Sequence, residues 1–253
     1  MRFTCLGSGS RGNATLVQAG QTLVMVDCGF GIAETGRRLA RAGVDFSDLA
    51  GILVTHEHAD HIGGVVRVAR KHRLPVWATP GTFTLLNGGG LDNVNLFNVH
   101  EPFAIDGLAV EPVTVPHDAR EPSQFVFSDG ALKLGILTDA GHVTPHIQRS
   151  YADLDGLILE TNHDSEMLAN GEYPQRLKAR VGGSLGHLSN AQAADLMRVL
   201  GQGRLQHLVA AHLSEQNNAP SLARASLADA LDCTQDWIHV ADQQAGLDWL
   251  ELR

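Results

Sequence analysis

Seven residues, Thr55–His61 (THEHADH), hold three histidines and two acids. Imidazole and carboxylate are the ligands of zinc and of other borderline divalent ions. His56 and His58 are two apart, so along an extended segment their rings point the same way. Asp60 and His61 follow as the chain turns and can aim at a neighbouring point. One such turn can feed two adjacent metals, His56 and His58 to one, Asp60 and His61 to the other.

The flanking sequence says where this turn sits. Gly51-Ile52-Leu53-Val54 is a short apolar run that reads as a buried strand, and Ile62–His72 has apolar residues at helical spacing. The cluster therefore lies at the carboxyl end of a strand, where open α/β architectures place ligands. The same placement recurs. Leu23–Val26 ends in Asp27, Leu108–Val115 in Pro116-His117-Asp118, and Ala131–Leu137 in Thr138-Asp139. Leu157–Leu159 ends in Glu160-Thr161-Asn162-His163, and Leu205–Ala211 in His212. A repeated strand-end position for ligand and acid-base residues suggests one built site. Two metals need more ligands than the turn supplies. His117, Asp139 and His212 are the candidates, with Asp139 able to bridge both ions. Asp27 reads either as a partner that orients a metal-binding histidine or as a cap on the turn before a helix at Ile32–Arg41.

Other elements follow from pattern. Phe3–Leu6 is a strand, and Ala14–Ala19 and Thr22–Val26 form a hairpin. Pro75–Ala78 is a strand, and Thr79–Leu86 a helix closed by Gly88-Gly89-Gly90. Asn93–Asn98 and Phe103–Ile105 read as edge strands. Gln124–Phe127 pairs with Ala131–Leu137 across Ser128-Asp129-Gly130. Gln192–Leu200 is a helix, and Trp237–Val240 with Leu247–Leu252 reads as a closing hairpin. The loop Gly7-Ser8-Gly9-Ser10-Arg11-Gly12-Asn13 can cradle a phosphate through its N–H groups and hydroxyls or be only a tight turn. Arg176, Lys178 and Arg180 are the best local basic patch, and equally a solvated helix face.

Composition bounds the rest. The chain has 253 residues, 43% hydrophobic, enough for one sizeable core and with no hinge-like linker, so a single domain over residues 1–253 is expected. No apolar stretch is long enough to span a bilayer, and the first residues lack the apolar core of a signal peptide. Three scattered cysteines, Cys5, Cys28 and Cys233, make neither a disulfide framework nor a thiolate zinc site. A cytoplasmic protein is expected. A formal net charge of −9 counts against broad nucleic-acid binding. It does not count against a phosphate substrate, because two divalent cations would dominate the local field.

HEHADH resembles the HxHxDH signature of the metallo-β-lactamase superfamily. The superfamily's order of motifs is matched in turn by Asp27, His56 to His61, His117, Asp139 and His212, across essentially the whole chain. The resemblance implies an α/β protein, an αββα sandwich with the metals at one edge. Gly186-His187-Leu188-Ser189 resembles the catalytic-histidine motif of tRNase Z and the PhnP phosphodiesterases, and Ala211-His212-Leu213-Ser214 their final metal motif. GSGSRGNA, ETNHD, GHLSN and HLSEQNN are similar to the YycJ/WalJ family, bacterial proteins proposed to be DNA exonucleases acting from 5′ ends. Between Asp139 and His212 there is no room for the extra domain of RNase J-type nucleases, and no basic glycine-rich arm of the tRNase Z kind is present.

The implied chemistry is phosphodiester hydrolysis with two divalent ions, zinc or manganese, with iron a further candidate. Asp60 would orient the nucleophile, and His187 would stabilise the phosphorane or protonate the leaving oxygen. His163, Ser8, Ser10, Asn13 and Arg11 are candidate phosphate contacts. The expected substrate is a phosphodiester, DNA by resemblance; small cyclic phosphodiesters and a metal-binding regulator without turnover are the alternatives. No membrane partner is expected, and no protein partner is readable from the residues.

Overall fold

The structure is a computed structural model that describes residues 1–86 and 90–253. The glycine run expected to close the helix before it therefore lies, at Gly88 and Gly89, outside the described residues. The first half of the chain holds β1 (Arg2–Gly7), β2 (Ala14–Ala19), β3 (Thr22–Val26), α1 (Ile32–Arg41), β4 (Gly51–Leu53), α2 (Ala59–Ile62), α3 (Val65–His72), β5 (Val76–Ala78), α4 (Pro80–Leu86) and β6 (Val94–Leu96). The second half holds β7 (Phe103–Ile105), β8 (Leu108–Thr114), β9 (Ser123–Ser128), β10 (Lys133–Leu137), α5 (Pro145–Ser150), β11 (Gly156–Glu160), α6 (Ser165–Asn170) and α7 (Gln175–Val181). It closes with α8 (Asn190–Leu200), β12 (His207–Ala211), α9 (Pro220–Leu231), β13 (Ile238–Val240) and β14 (Leu250–Glu251).

Among the described residues the strands form two sheets of seven, ordered β14-β1-β2-β3-β4-β5-β6 and β13-β12-β11-β10-β9-β8-β7. Each sheet is antiparallel on one side and parallel on the other. The change falls at β3, antiparallel to β2 and parallel to β4, and at β10, antiparallel to β9 and parallel to β11. Parallel neighbours need crossovers, and here the crossovers carry the helices.

Alternation along the strands builds three apolar layers. Val24, Val26, Phe125, Phe127, Ile136 and Ile158 meet between the sheets. Leu23, Met25 and Ile52 face outward onto Leu39, Val65 and Val68 of α1 and α3. Leu157, Leu159 and Leu208 face outward onto Ile147, Leu196 and Leu227 of α5, α8 and α9. This is the αββα sandwich expected.

Two expected elements differ. The helix over Ile62–His72 is broken into α2 and α3 at Gly63-Gly64. There the Gly64 N–H leaves the helical ladder and donates to the Cys28 carbonyl at 2.7 Å. A side chain at Gly64 would strike the Phe30 carbonyl, and one at Gly29 the Asp60 carbonyl. Glycines are thus required where the metal turn packs on the loop after β3. The closing hairpin is not a hairpin. Ile238–Val240 runs parallel to β12 in one sheet, and Leu250–Glu251 pairs antiparallel with β1 in the other. Periodicity locates strands but is silent on which sheet each joins.

Phe125 is fully buried between the sheets, its ring 5.8 Å from that of Phe97 and 6.0 Å from that of Phe127. Phe125→Ala is expected to cost about 3–5 kcal/mol of stability, read from urea unfolding. A loss below about 1 kcal/mol would show that the sheets are not locked together there.

Candidate metal centre

Six strands, β3, β4, β8, β10, β11 and β12, deliver charged or ligating side chains to one edge. Past β3, Asp27 is 4% exposed and holds φ 60°, a left-handed conformation that costs a non-glycine residue about 1–2 kcal/mol. Its Oδ1 accepts from the Thr55 N–H at 2.9 Å. Its Oδ2 accepts from the Thr55 hydroxyl at 2.8 Å and faces His61 Nδ1 at 2.7 Å. Asp27 therefore ties the end of β3 to the end of β4 and orients His61, whose Nε2 is left to face Asp139 Oδ2 at 3.3 Å and Asp60 Oδ2 at 3.5 Å. Asp139, past β10, has φ 54°, and His212, past β12, also has φ 54°. For His212 the backbone is clamped on both sides. Its N–H donates to the Ser8 hydroxyl at 2.9 Å, and its carbonyl accepts from Asn162 Nδ2 at 2.9 Å.

The expected ligands converge in two groups. His117 Nδ1 faces the Gly186 carbonyl at 3.0 Å, which makes that nitrogen the donor and leaves Nε2 as a lone pair 3.2 Å from His58 Nδ1. His56 Nδ1 lies 3.0 Å from the Thr55 hydroxyl, and its buried Nε2 has no hydrogen-bond partner. Ligand atoms of His56, His58 and His117 lie within 4.8 Å of one another, and so do those of Asp60, His61 and His212 and those of His56, His61 and Asp139. His212 Nε2 and Asp139 Oδ2 are likewise buried without a hydrogen bond. Buried polar atoms are costly when unpaired. Orphaned nitrogens and a carboxylate oxygen aimed at common points are what a bound divalent ion would satisfy, so the donor set fits metal.

The electrostatics divide the site. Burial, reinforced by the neighbouring histidines, pushes His56 well below the ordinary histidine range, and burial also lowers His117. These are neutral imidazoles, the form that binds metal. Burial opposes charge on His61 and His212 too, but there the carboxylates win. Asp139 and Asp27 hold His61 well above its ordinary value, and Asp139, Asp60 and Glu160 push His212 up to about 10. Asp60, despite its burial, is held below the usual carboxylate range by His212 and His61. One group of ligands is thus held neutral by burial, and the other combines histidines with a dense cluster of carboxylates.

Beside both groups stands His187. Its Nδ1 meets Glu160 Oε1 at 2.9 Å and lies 3.5 Å from Asp139 Oδ1. Glu160 is fully buried and is the hub of the site. Oε1 also receives His212 Nδ1 at 2.9 Å, while Oε2 accepts the N–H groups of Leu188 at 2.9 Å and Ala140 at 3.0 Å. Burial works against its charge, but His187 and His212 hold it below the ordinary range. Sequence reasoning placed Glu160 at a strand end and assigned it no role. The signal was there, an acid closing the apolar run Leu157–Leu159. Asp118 was passed over as well. Its carbonyl lies 3.3 Å from His58 Nε2, and its Oδ2 accepts from Arg180 Nε at 2.6 Å.

The remaining candidates sort by position. Ser10, Asp60, His187, His212 and Arg180 line a cavity of about 330 Å³ over the site. Ser8 supports the His212 backbone from behind. Asn13 joins Asp60 Oδ2 through Nδ2 at 3.2 Å and takes the Gly9 N–H on Oδ1 at 2.8 Å. Most N–H groups of the glycine-serine loop are spent within the protein and not left for a phosphate. Those at Ser8, Gly9, Arg11 and Gly12 donate to Asp242, Asn13, Gln243 and Gly9, and that of Asn13 to Asp60. His163 is 4% exposed and lies outside the cavity lining. Of the cations, Arg11 pairs with Glu215 at 2.5 Å, Lys178 Nζ donates to the Ala169 carbonyl at 2.7 Å, and Arg176 is exposed.

Asp27→Asn puts an amide NH₂ where two donors now meet a carboxylate. It is expected to weaken metal binding roughly 10- to 100-fold, measured by chelator competition. Unchanged affinity would mean that Asp27 serves only the turn.

A β-lactamase superfamily domain model matches residues 22–212. The chain is 35% identical over 236 residues to an exodeoxyribonuclease YycJ of Bacillus anthracis, covering 92% of this chain and 89% of that one. It is 33% identical over 237 residues to the exodeoxyribonuclease WalJ of Streptococcus pneumoniae, covering 91% and 88%. In structure it resembles the metallo-β-lactamase fold protein YhfI of Bacillus subtilis, with a TM-score of 0.78 at 16% identity over 99% of each chain. The chain belongs to the β-lactamase superfamily, in the branch that holds the YycJ and WalJ proteins.

Proposed function

We propose that the protein hydrolyses phosphodiesters with two divalent metal ions and that its substrate is DNA, degraded from 5′ ends in the cytoplasm. The observation that carries this reading is the meeting of two ligand groups on Asp139 with the His187–Glu160 pair beside them. His56, His58 and His117 would hold one ion, Asp60, His61 and His212 the other, and Asp139 both. Ligands of this kind suit zinc or manganese, and iron as well. When bound, the ions supply positive charge for the phosphoryl oxygens and lower the pKa of a water molecule.

The chain's own residues supply the rest. Asp60, held ionised, orients the attacking water. His187, with Nδ1 fixed on Glu160, presents Nε2 to the cavity and gives a proton to the leaving oxygen. DNA is favoured by the relatives, both named exodeoxyribonucleases. No helix among the described residues is long and apolar enough to cross a membrane, and the three thiols are free, in keeping with a reducing compartment. One observation favours a small phosphodiester instead: Arg11, Lys178 and Arg180 are already engaged within the protein.

Two substitutions separate holding metal from using it. Asp139→Ala is expected to lose bound metal together with activity. His187→Ala should keep its metal and lose about 10²- to 10³-fold in rate. Metal content and single-turnover rates on the same preparations decide this, and metal loss in the His187 variant would sink the acid role.

For the substrate, end-labelled DNA is set against bis-p-nitrophenyl phosphate with manganese supplied. DNA cleavage from 5′ ends with a shallow salt dependence is expected, because Arg11, Lys178 and Arg180 are engaged within the protein rather than free to neutralise phosphates. Brisk turnover of the small diester with no cleavage of DNA would establish the small-substrate reading.

A further inference from the structure

The cavity has two unlike walls. One is the row of strand-end histidines and acids already described. The other comes from the segment that begins after α6 and runs through α7, which contributes Tyr173, Arg180 and Val181. Among the described residues Tyr173 is the sole phenylalanine, tyrosine or tryptophan lining the cavity. The chain's other tyrosine, Tyr151, is buried in the core with its hydroxyl donating to the Ile136 carbonyl at 2.5 Å. Tyr173 is only partly buried, and neither its hydroxyl nor its ring meets a hydrogen-bonding, aromatic or cationic partner among the described residues.

The linker that carries it packs closely on one side and runs into a proline on the other. A side chain at Gly171 would come within 2.7 Å of the Met167 carbonyl and 2.6 Å of Asn217 Oδ1, and Pro174, the N-cap of α7, fixes the chain on the other side at φ −56°. An aromatic ring presented on a rigid linker loses little freedom when it binds. On the reading above, the strand-end residues of the same cavity take the phosphodiester, which leaves Tyr173 to the group that the phosphodiester carries.

We infer that Tyr173 stacks on the terminal base of the DNA substrate and sets the enzyme's preference for ends that carry a base. This rests on the DNA reading above and adds the contact that recognises the nucleotide. Stacking suits an enzyme that removes nucleotides in succession, because every base offers a π face and none is selected by hydrogen bonding. Arg180 lines the same cavity, with its guanidinium held by Asp118 at 2.6 Å.

The test uses two oligonucleotides of one sequence, one with a normal terminal nucleotide and one whose terminal nucleotide is abasic. The readout is the ratio of kcat/KM on the two. Wild type is expected to favour the base-bearing end roughly 5- to 150-fold, the usual worth of one base–aromatic stack. In Tyr173→Ala the ratio should fall to near one, and in Tyr173→Phe it should stay at the wild-type value. Metal content measured on each variant shows that the centre is intact. A wild-type ratio near one, or an alanine variant that keeps the wild-type ratio, overturns the stacking role and leaves the DNA reading standing. If wild type cleaves neither oligonucleotide but turns over bis-p-nitrophenyl phosphate, the DNA reading falls and this inference with it.

Discussion

The site depends on a carboxylate that never sees water. Glu160 ends a fully apolar strand, and an ionised acid in that position is stable only if donors surround it. Four do. His187 and His212 come from two different loops, the Leu188 N–H follows His187, and the Ala140 N–H follows Asp139. Satisfying one buried charge thus fixes the proton-donor candidate, one ligand candidate and the chain just after Asp139. Removing the charge would leave two ring nitrogens and two amides to find new partners, so the geometry of the edge is cooperative, not a sum of separate contacts.

The two halves of the chain solve the same problem in the same way. In each, the strand at which antiparallel pairing gives way to parallel pairing ends in a left-handed aspartate, Asp27 after β3 and Asp139 after β10. Aspartate tolerates this conformation better than most residues, and the turn it makes throws the carboxylate toward the sheet edge. The neighbouring parallel strand then brings Thr55-His56 in one half and Glu160-Thr161 in the other. The roles have diverged. Asp27 is spent on Thr55 and His61, whereas Asp139 keeps a buried oxygen without a hydrogen bond. The repeat explains how ligand candidates distant in sequence reach one point, since each sheet supplies its own ends to a shared edge.

Much of this was legible because it follows from local pattern. Apolar runs ending in ligating residues give the strands and their functional ends, and alternation gives the layers. What was not legible depends on contacts between distant segments. The break at Gly63-Gly64 follows from docking against Cys28, which no local period encodes. The last two strands have the spacing of a hairpin, yet β1 offers a free edge to one and β12 to the other. The glycine-serine loop has the composition of a phosphate cradle, but Asn13, Gln243, Asp242 and Asp60 consume most of its N–H groups. Asn162, Asn190 and Asn218 had no individual signal. Together they form a buried relay that supports His212 and the start of α8, with Asn218 Nδ2 donating to the Thr161 carbonyl and to Asn190 Oδ1.

Charge raises the last question, since a chain of net charge −9 has to receive a phosphate. Net charge is the wrong scale for it. Fields fall off within about 8–10 Å at physiological salt, so what matters is the cavity. There Asp60, Asp139, Asp118 and Glu160 face histidines and Arg180. The carboxylates around His61 and His212 raise both imidazoles above the ordinary histidine range. Divalent cations held by these ligands would bring two positive charges per site. The acid-rich centre is therefore no obstacle to an anionic substrate. With cations bound, it would concentrate positive charge at the edge where a phosphodiester would meet both Asp60 and His187.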